Sequence, residues 1–497
     1  MLVLSGFITM RTAKFISSGL LVFMGVYLWS GCSTEKNNIF TRSSHNLSSH
    51  YNGYFNSRER VKKGEQQLWD IHEDKFDRVL NVYRHGDTIQ AKTVSKLMDD
   101  AIKKSSLVIK RHSMLIKGKE YCKWIDENYM LVGKAKYYKR DYFPAIEIFQ
   151  YVASQYPKSP SHFEAMTWLI ITYIQTGNQL EAESLVEFLK NENKIPGELK
   201  GPVAAANAYF YIVMKNYPHA IEQLKIAVAH SHKKQLRSRY KFILAQLLQI
   251  QGENQEAYGL YGKVIKMNPA YDMAFNAKIN RARVFNVDSK DNVQVKKELQ
   301  KMLRDGKNKD YFDQIYYALA GIAFKEGDTT KGVELLHKSI SASTKNASQK
   351  AISYQDLAKF YFVRRDYRQA EAYYDSTATC MPKDHPDYES VKNRKEVLDK
   401  LIKNLNLIAS EDSLRALSGL SEKEREKMID KAIAAAEKEA EEKKKADNNT
   451  KNQGSSFAQG IGAPTAGGTS GQWYFYNTSA LSFCFTEYSK KWGDRKL

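Results

Sequence analysis

Val132 to Pro160 reads VGKAKYYKRDYFPAIEIFQYVASQYPKSP, and its order of small, aromatic and turn residues decides the fold. Apolar residues recur at helical spacing on both sides of the polar break at Lys139-Arg140-Asp141, which describes two helices joined by a short turn. Small Gly133 precedes the turn, small Ala145 follows it, Phe149 stands one helical turn later, and Pro157 closes the unit. Two helices approach closely only where a small side chain faces the neighbour, so Ala145 marks their crossing. A true repeat must return that residue at a fixed interval. It does so at Ala182, Ala220 and Ala257, in steps of 37, 38 and 37, then at Gly332 and, 38 later, at Ala370. The step of 75 before Gly332 holds two units, one of them degenerate, with Val295 in the place of the alanine.

Companion positions keep the same phase. Ala208, Ala245, Ala320 and Ala358 each stand twelve residues before a crossing residue, and Pro157, Pro269 and Pro382 stand twelve after one. The pattern resembles the tetratricopeptide repeat, although that unit is usually about 34 residues long. It predicts an all-α fold, a tetratricopeptide-type superhelix of about seven helix pairs over residues 118–388, because one pair cannot bury its own apolar face and stacking must supply the core. By that resemblance the first helix of each pair lines a concave groove. Lys134, Tyr137, Tyr209, Arg239, Gln246 and Lys359 are the candidate partner-binding residues there, since aromatic and basic side chains suit docking.

Outside the array the chain changes character. Residues 1–31 carry Arg11 and Lys14 ahead of the apolar run in FISSGLLVFMGVYLWSGC, too short for a membrane span but suited to an export signal, with Met10 the more natural start. Ser30-Gly31 before Cys32 resembles a bacterial lipobox, with Trp29 where an aliphatic residue is usual, and implies lipidation at Cys32. Residues 32–117 read as a short tether and capping helices. Ser48 or Ser49 is expected to cap a helix carrying Tyr54, Val61 and Leu68 on one stripe. Residues 389–449 read as further helix with alternating charges, and 450–471 as a flexible glycine-rich linker. Residues 472–497 form an aromatic segment that alternates like a short β-hairpin, and Trp473, Tyr474, Phe475, Tyr476 and Trp492 are its candidate docking residues.

The formal charge of +20 would suit an anionic partner, but the lysines are scattered among acids over the whole length, so no nucleic acid is expected. Cys122, Cys380 and Cys484 are widely spaced and make neither a disulfide framework nor a zinc site. No nucleophile elbow, phosphate loop, zinc-protease or dinucleotide motif occurs in its required setting. His230 and His232, two apart, point to different faces of a helix, while Asp99-Asp100 and Glu441-Glu442 read as solvated surface. The expectation is no enzyme, no metal, no cofactor and no small-molecule substrate.

HNLSSHYNGYFN (45–56), the tandem repeats, the charged helix, the glycine-rich linker and the closing QWYFYN (472–477) and KKWGDR (490–495) stand in one order. In that order the chain resembles the PorW/SprE family, tetratricopeptide lipoproteins of the Bacteroidetes associated with type IX secretion and gliding motility. The resemblance runs over essentially the whole chain, most specifically at Arg42 to Asn56 and Gln472 to Arg495. It implies an outer-membrane lipoprotein facing the periplasm, held by its lipid, whose partners are protein components of the secretion system. It also implies further sequence after the closing motif. The competing reading is a glycan-binding outer-membrane lipoprotein of the SusD type, which interrupts its repeats with a large loop-rich region.

Overall fold

A computed structural model describes residues 34–285 and 292–431, with single positions up to Glu441. Cys32, the linker and the aromatic segment with Trp473, Tyr474, Phe475, Tyr476 and Trp492 lie outside the described residues. The chain divides into two units, residues 1–399 and 400–497.

Among its described residues the first unit is helical almost throughout and contains seven helix pairs. They are α4 (Ile125–Tyr138) with α5 (Tyr142–Gln155), α6 (Pro160–Thr176) with α7 (Gln179–Lys190), and α8 (Gly197–Val213) with α9 (Tyr217–His230). Next come α10 (Lys234–Ile250) with α11 (Asn254–Lys266), and α12 (Tyr271–Arg283) with α13 (Asn292–Arg304). The last are α14 (Phe312–Lys325) with α15 (Thr329–Ala342), and α16 (Ala347–Val363) with α17 (Tyr367–Cys380). Ala145, Ala182, Ala220, Ala257 and Ala370 are wholly buried at the crossings, Gly332 is buried, and Val295, in phase with them, is buried in an apolar cluster with Phe275 and Ile279.

Glycine at a crossing makes room for a ring. A Cβ on Gly133 would lie 2.5 Å from the Phe149 ring, and one on Gly332 would lie 2.7 Å from Phe324. The turns between paired helices repeat in detail. Arg140, Gly177, Lys215, Gly252, Gly327 and Arg365 all take positive φ, each five residues before a crossing residue. The next residue, Asp141, Asn178, Asn216, Glu253, Asp328 or Asp366, donates its N–H to the carbonyl five back, the bond that closes a left-handed helix end.

Ahead of the pairs, α1 (Ile39–Ser48) runs through one π-helical turn (Ser49–Tyr54) into α2 (Phe55–Ile71), and α3 (Thr88–His112) packs between α2 and α4. Tyr54, Val61 and Leu68 are buried as the stripe predicts. The helix begins earlier than expected, because Asn38 rather than Ser48 or Ser49 caps it: the Asn38 side chain accepts from Thr41 N–H at 2.8 Å, and the Thr41 hydroxyl accepts in return from Asn38 N–H. Ser49 instead turns inward, its hydroxyl 3.2 Å from the Cys122 thiol. A two-residue hairpin, β1 (Leu115–Ile116) with β2 (Lys119–Glu120), precedes α4, so the pairs start at Ile125. α18 (Tyr388–Ser418) follows the last pair and buries Val391 and Leu398. In the second unit, residues 422–431 are helical and exposed.

Candidate functional site

The groove formed by the first helices of the pairs is partly filled by the chain itself. Residues 72–87, HEDKFDRVLNVYRHGD, leave α2 without regular structure and form an inner strap. Leu80 and Val82 are 2% and 1% exposed and join the same apolar core as the first four pairs. Phe76 meets Phe242 edge-on at 5.5 Å, and Tyr83 meets Tyr209 in the same way at 5.7 Å.

Four of the six candidate groove residues hold this strap. Arg239, wholly buried on α10, makes a two-pronged bond to Asp74, Nη1 to Oδ2 at 2.8 Å and Nη2 to Oδ1 at 2.9 Å. Its Nε and Nη2 also donate to the Asn81 carbonyl at 2.9 and 2.6 Å. Gln246, two turns further along α10, reads the strap backbone in both directions. Its Oε1 accepts from Leu80 N–H at 3.0 Å and its Nε2 donates to the Arg78 carbonyl at 2.8 Å. Tyr137 shares a hydrogen bond with His85 Nδ1, and the Tyr209 ring lies 5.3 Å from the His85 ring. Beyond the candidates, Arg140 donates to the Gly86 carbonyl at 3.1 Å, while Lys75 and Arg78 reach Asp384 after the last pair, at 2.5 and 3.4 Å.

The electrostatics suit a closed strap. Burial alone would raise the Asp74 carboxyl, but hydrogen bonds from His72, Arg239 and Arg84 hold it well below the ordinary carboxylate range. Burial, with the charges of His72, Arg140 and Arg239, pushes His85 down to about 3 from an ordinary 6.5. Both folded values lie below the unfolded ones. Each group therefore lends the closed strap stability that is complete above its unfolded pKa and lost as pH falls. Acidification from pH 6 to pH 4 is expected to lower the opening free energy of residues 72–87 by on the order of 1 kcal/mol per pH unit. Amide exchange, corrected for intrinsic rates, measures this. His85→Gln should flatten the slope, and an unchanged slope would rule out His85 as its source.

The two remaining candidates do not touch the strap. Lys134 on α4 pairs with Glu164 on α6 at 2.5 Å and lies over the Trp168 ring. Burial would lower its pKa, but Glu164 outweighs that and raises it. Lys359 on α16 lies 3.7 Å from Asp356, beside an apolar pocket of about 490 Å³ walled by Phe324, Leu336, Phe360 and Val363. Arg283 and Tyr317 border both this pocket and a larger cleft of about 870 Å³. The cleft lies between the first residues of the strap and the first helices of the last three pairs. Amides furnish it: Asn276, Asn280, Gln314, Asn346 and Gln349 face the first residues of the strap across it. Asn276 donates to the Asp272 carbonyl, Gln349 donates to the Ser353 hydroxyl, and Asn346 accepts from Gln349 N–H as a helix cap.

Sequence reasoning missed the strap. Its one signal was the apolar content of FDRVLNVY in a region otherwise read as tether and cap. Among the described residues no group of three His, Cys, Asp or Glu side chains is placed to hold a metal ion, and no helix is long and apolar enough to cross a membrane.

No protein-family model matches the chain, and no curated protein matches it. Solved structures similar to it include tetratricopeptide-type repeat proteins. A tetratricopeptide repeat protein from Parabacteroides merdae is 12% identical, with 68% of this chain and 99% of that one covered at a TM-score of 0.31. BtubC from P. vanneervenii is 14% identical, with 48% and 88% covered at 0.28. The Cut9–Hcn1 hetero-tetramer of the APC/C is 12% identical, with 67% and 60% covered at 0.29. Superposition over whole chains is loose at these values, and the fold assignment rests on the seven helix pairs themselves. Stacked helix pairs of this type present concave surfaces to other proteins.

Proposed function

We propose that the chain is a docking scaffold held at the outer membrane on its periplasmic side, engaging protein components of the type IX secretion and gliding machinery and linking its motor and ring parts to the translocon. One observation carries the docking role. Between the first residues of the strap and the last three pairs, Asn276, Asn280, Gln314 and Gln349 line a cleft that shares Arg283 and Tyr317 with an apolar pocket. A partner segment there finds polar amide side chains and an anchoring site for one large apolar side chain, the arrangement that concentrates binding energy in a few residues. The secretion partners follow from the sequence resemblance, which runs through the order of anchor, repeats, charged helix and aromatic close.

Crosslinking in intact envelopes followed by mass spectrometry tests both parts. Crosslinks to secretion components are expected on α12, α14 and α16, and Gln314→Arg with Tyr317→Ala should reduce them about tenfold. Crosslinks confined to other faces would overturn the cleft. Normal export of C-terminally signalled proteins in a deletion strain would overturn the secretion role, and heat on saccharide titration would favour the glycan-binding alternative.

A further inference from the structure

A second surface lies at the other end of the first unit. α1, the π-helical turn and α2 form one helical run from Ile39 to Ile71, because the backbone stays in the right-handed helical region at Ser48, Ser49, Tyr54 and Phe55. One side of this run is committed. His45 meets His112, Asn46 accepts from Lys123 N–H, Ser49 meets Cys122, and Tyr54 packs on Trp124 at 5.0 Å. The other side carries large apolar residues in solvent: Phe40 is 75% exposed, Leu47 62%, Tyr51 65% and Phe55 48%. Exposed Arg58 and Lys62 continue the same line, so the steps from Phe40 are 7, 4, 4, 3 and 4, the spacing of one helix face.

The charge around this stripe is predominantly positive, with Glu59, 3.8 Å from Arg58, the one acid between Phe40 and Lys62. From Lys36 to Arg58 there is no Asp or Glu, while Lys36, Arg42 and Arg58 fall within the interval and Lys62 and Lys63 follow it. A helix with aromatic and aliphatic residues on one face and cations beside them suits an anionic lipid surface, where the rings enter the interface and the cations meet headgroups. Cys32 precedes Ile39 by seven residues, which span about 20–25 Å when extended.

We propose that the exposed face of Phe40, Leu47, Tyr51, Phe55, Arg58 and Lys62 lies on anionic phospholipid and orients the array against the membrane. The proposal rests on the membrane-held reading and adds a second contact to a lipid at Cys32. A lipid chain alone fixes distance from the bilayer but not orientation, whereas a helix lying in the interface fixes both.

The full chain carrying Leu47→Trp or Tyr51→Trp is mixed with vesicles of phosphatidylglycerol and phosphatidylethanolamine whose acyl chains are brominated. Phe143→Trp, at an exposed site on α5, is the control. The added emission at 47 and 51 should fall about twofold relative to unbrominated vesicles, with the control unchanged. Arg58→Glu with Lys62→Glu should restore it, as should vesicles of phosphatidylcholine alone. All these positions are exposed, so helical circular dichroism should not change. A chain that sediments with vesicles yet keeps full emission at both positions overturns the lipid face. Labelled-palmitate incorporation, compared with Cys32→Ser, tests the anchor separately. Quenching that ignores headgroup charge, or a blue shift that follows protein concentration without vesicles, also overturns it; the latter would assign the stripe to a second copy of the chain.

Discussion

Asp74→Ala is expected to destabilise the first unit by about 3–5 kcal/mol, the usual result of removing one partner from a buried ion pair. Asp74 and Arg239 are 5% and 0% exposed at the side chain, and the carboxylate also takes Arg84 at 2.5 Å. Its loss leaves two guanidinium groups facing each other in a site with little water to screen them. The strap should open first. Trypsin is expected to cut after Arg78 or Arg84 in the variant and not in the parent, and chemical denaturation should show the stability loss. Asp74→Leu with Arg239→Met should recover only part of the deficit, because it removes the unpaired Arg239 charge but still leaves the Asn81 carbonyl and Arg84 without those partners. A variant within about 1 kcal/mol of the parent, with no new cut, would mean that the strap is held without the ion pair, by its apolar contacts and the Gln246 bonds to its backbone.

Phe149→Ala should cost about 3–5 kcal/mol, since it removes a wholly buried ring from the first crossing. The ring stacks on Trp168 at 5.9 Å and covers the space that Gly133 leaves free. Gly133→Ala alone should cost about 1–3 kcal/mol by overpacking against that ring. Together the two substitutions should cost less than their sum by on the order of 1 kcal/mol, because the new methyl group enters space the ring has vacated. Strict additivity in thermal denaturation would mean that Gly133 and Phe149 do not share one packing site.

The same residues explain why the fold was legible. A crossing residue, its aromatic neighbour and its turn lie within about twenty positions of one another, and each unit repeats that arrangement, so contacts close in space are also close and periodic in sequence. Val295 stood out as the degenerate crossing because the phase of 37 or 38 residues continued through it. The turns were less visible. Arg140, Lys215 and Arg365 adopt positive φ where glycine is the usual signal, and only the shared hydrogen-bond closure places them with Gly177, Gly252 and Gly327.

The candidate groove residues were legible as inward-facing positions and no further. Position on the first helix of a pair placed Tyr137, Tyr209, Arg239 and Gln246 inside, but their occupant comes from far away in sequence: Asp74 to Arg239 spans 165 residues, and Arg78 to Gln246 spans 168. A contact made once, between a repeating surface and a non-repeating segment, leaves no period to detect.

By itself, then, the sequence determined the helix pairs, their phase and the faces they bury, since each follows from local spacing and the need to cover an apolar stripe. The tertiary structure alone decided that the first four pairs spend their inner face on the chain's own strap and that a cleft remains between the strap's first residues and the last three pairs. That outcome depends on which buried charge and which backbone carbonyl meet across the groove, and no local pattern records such a meeting.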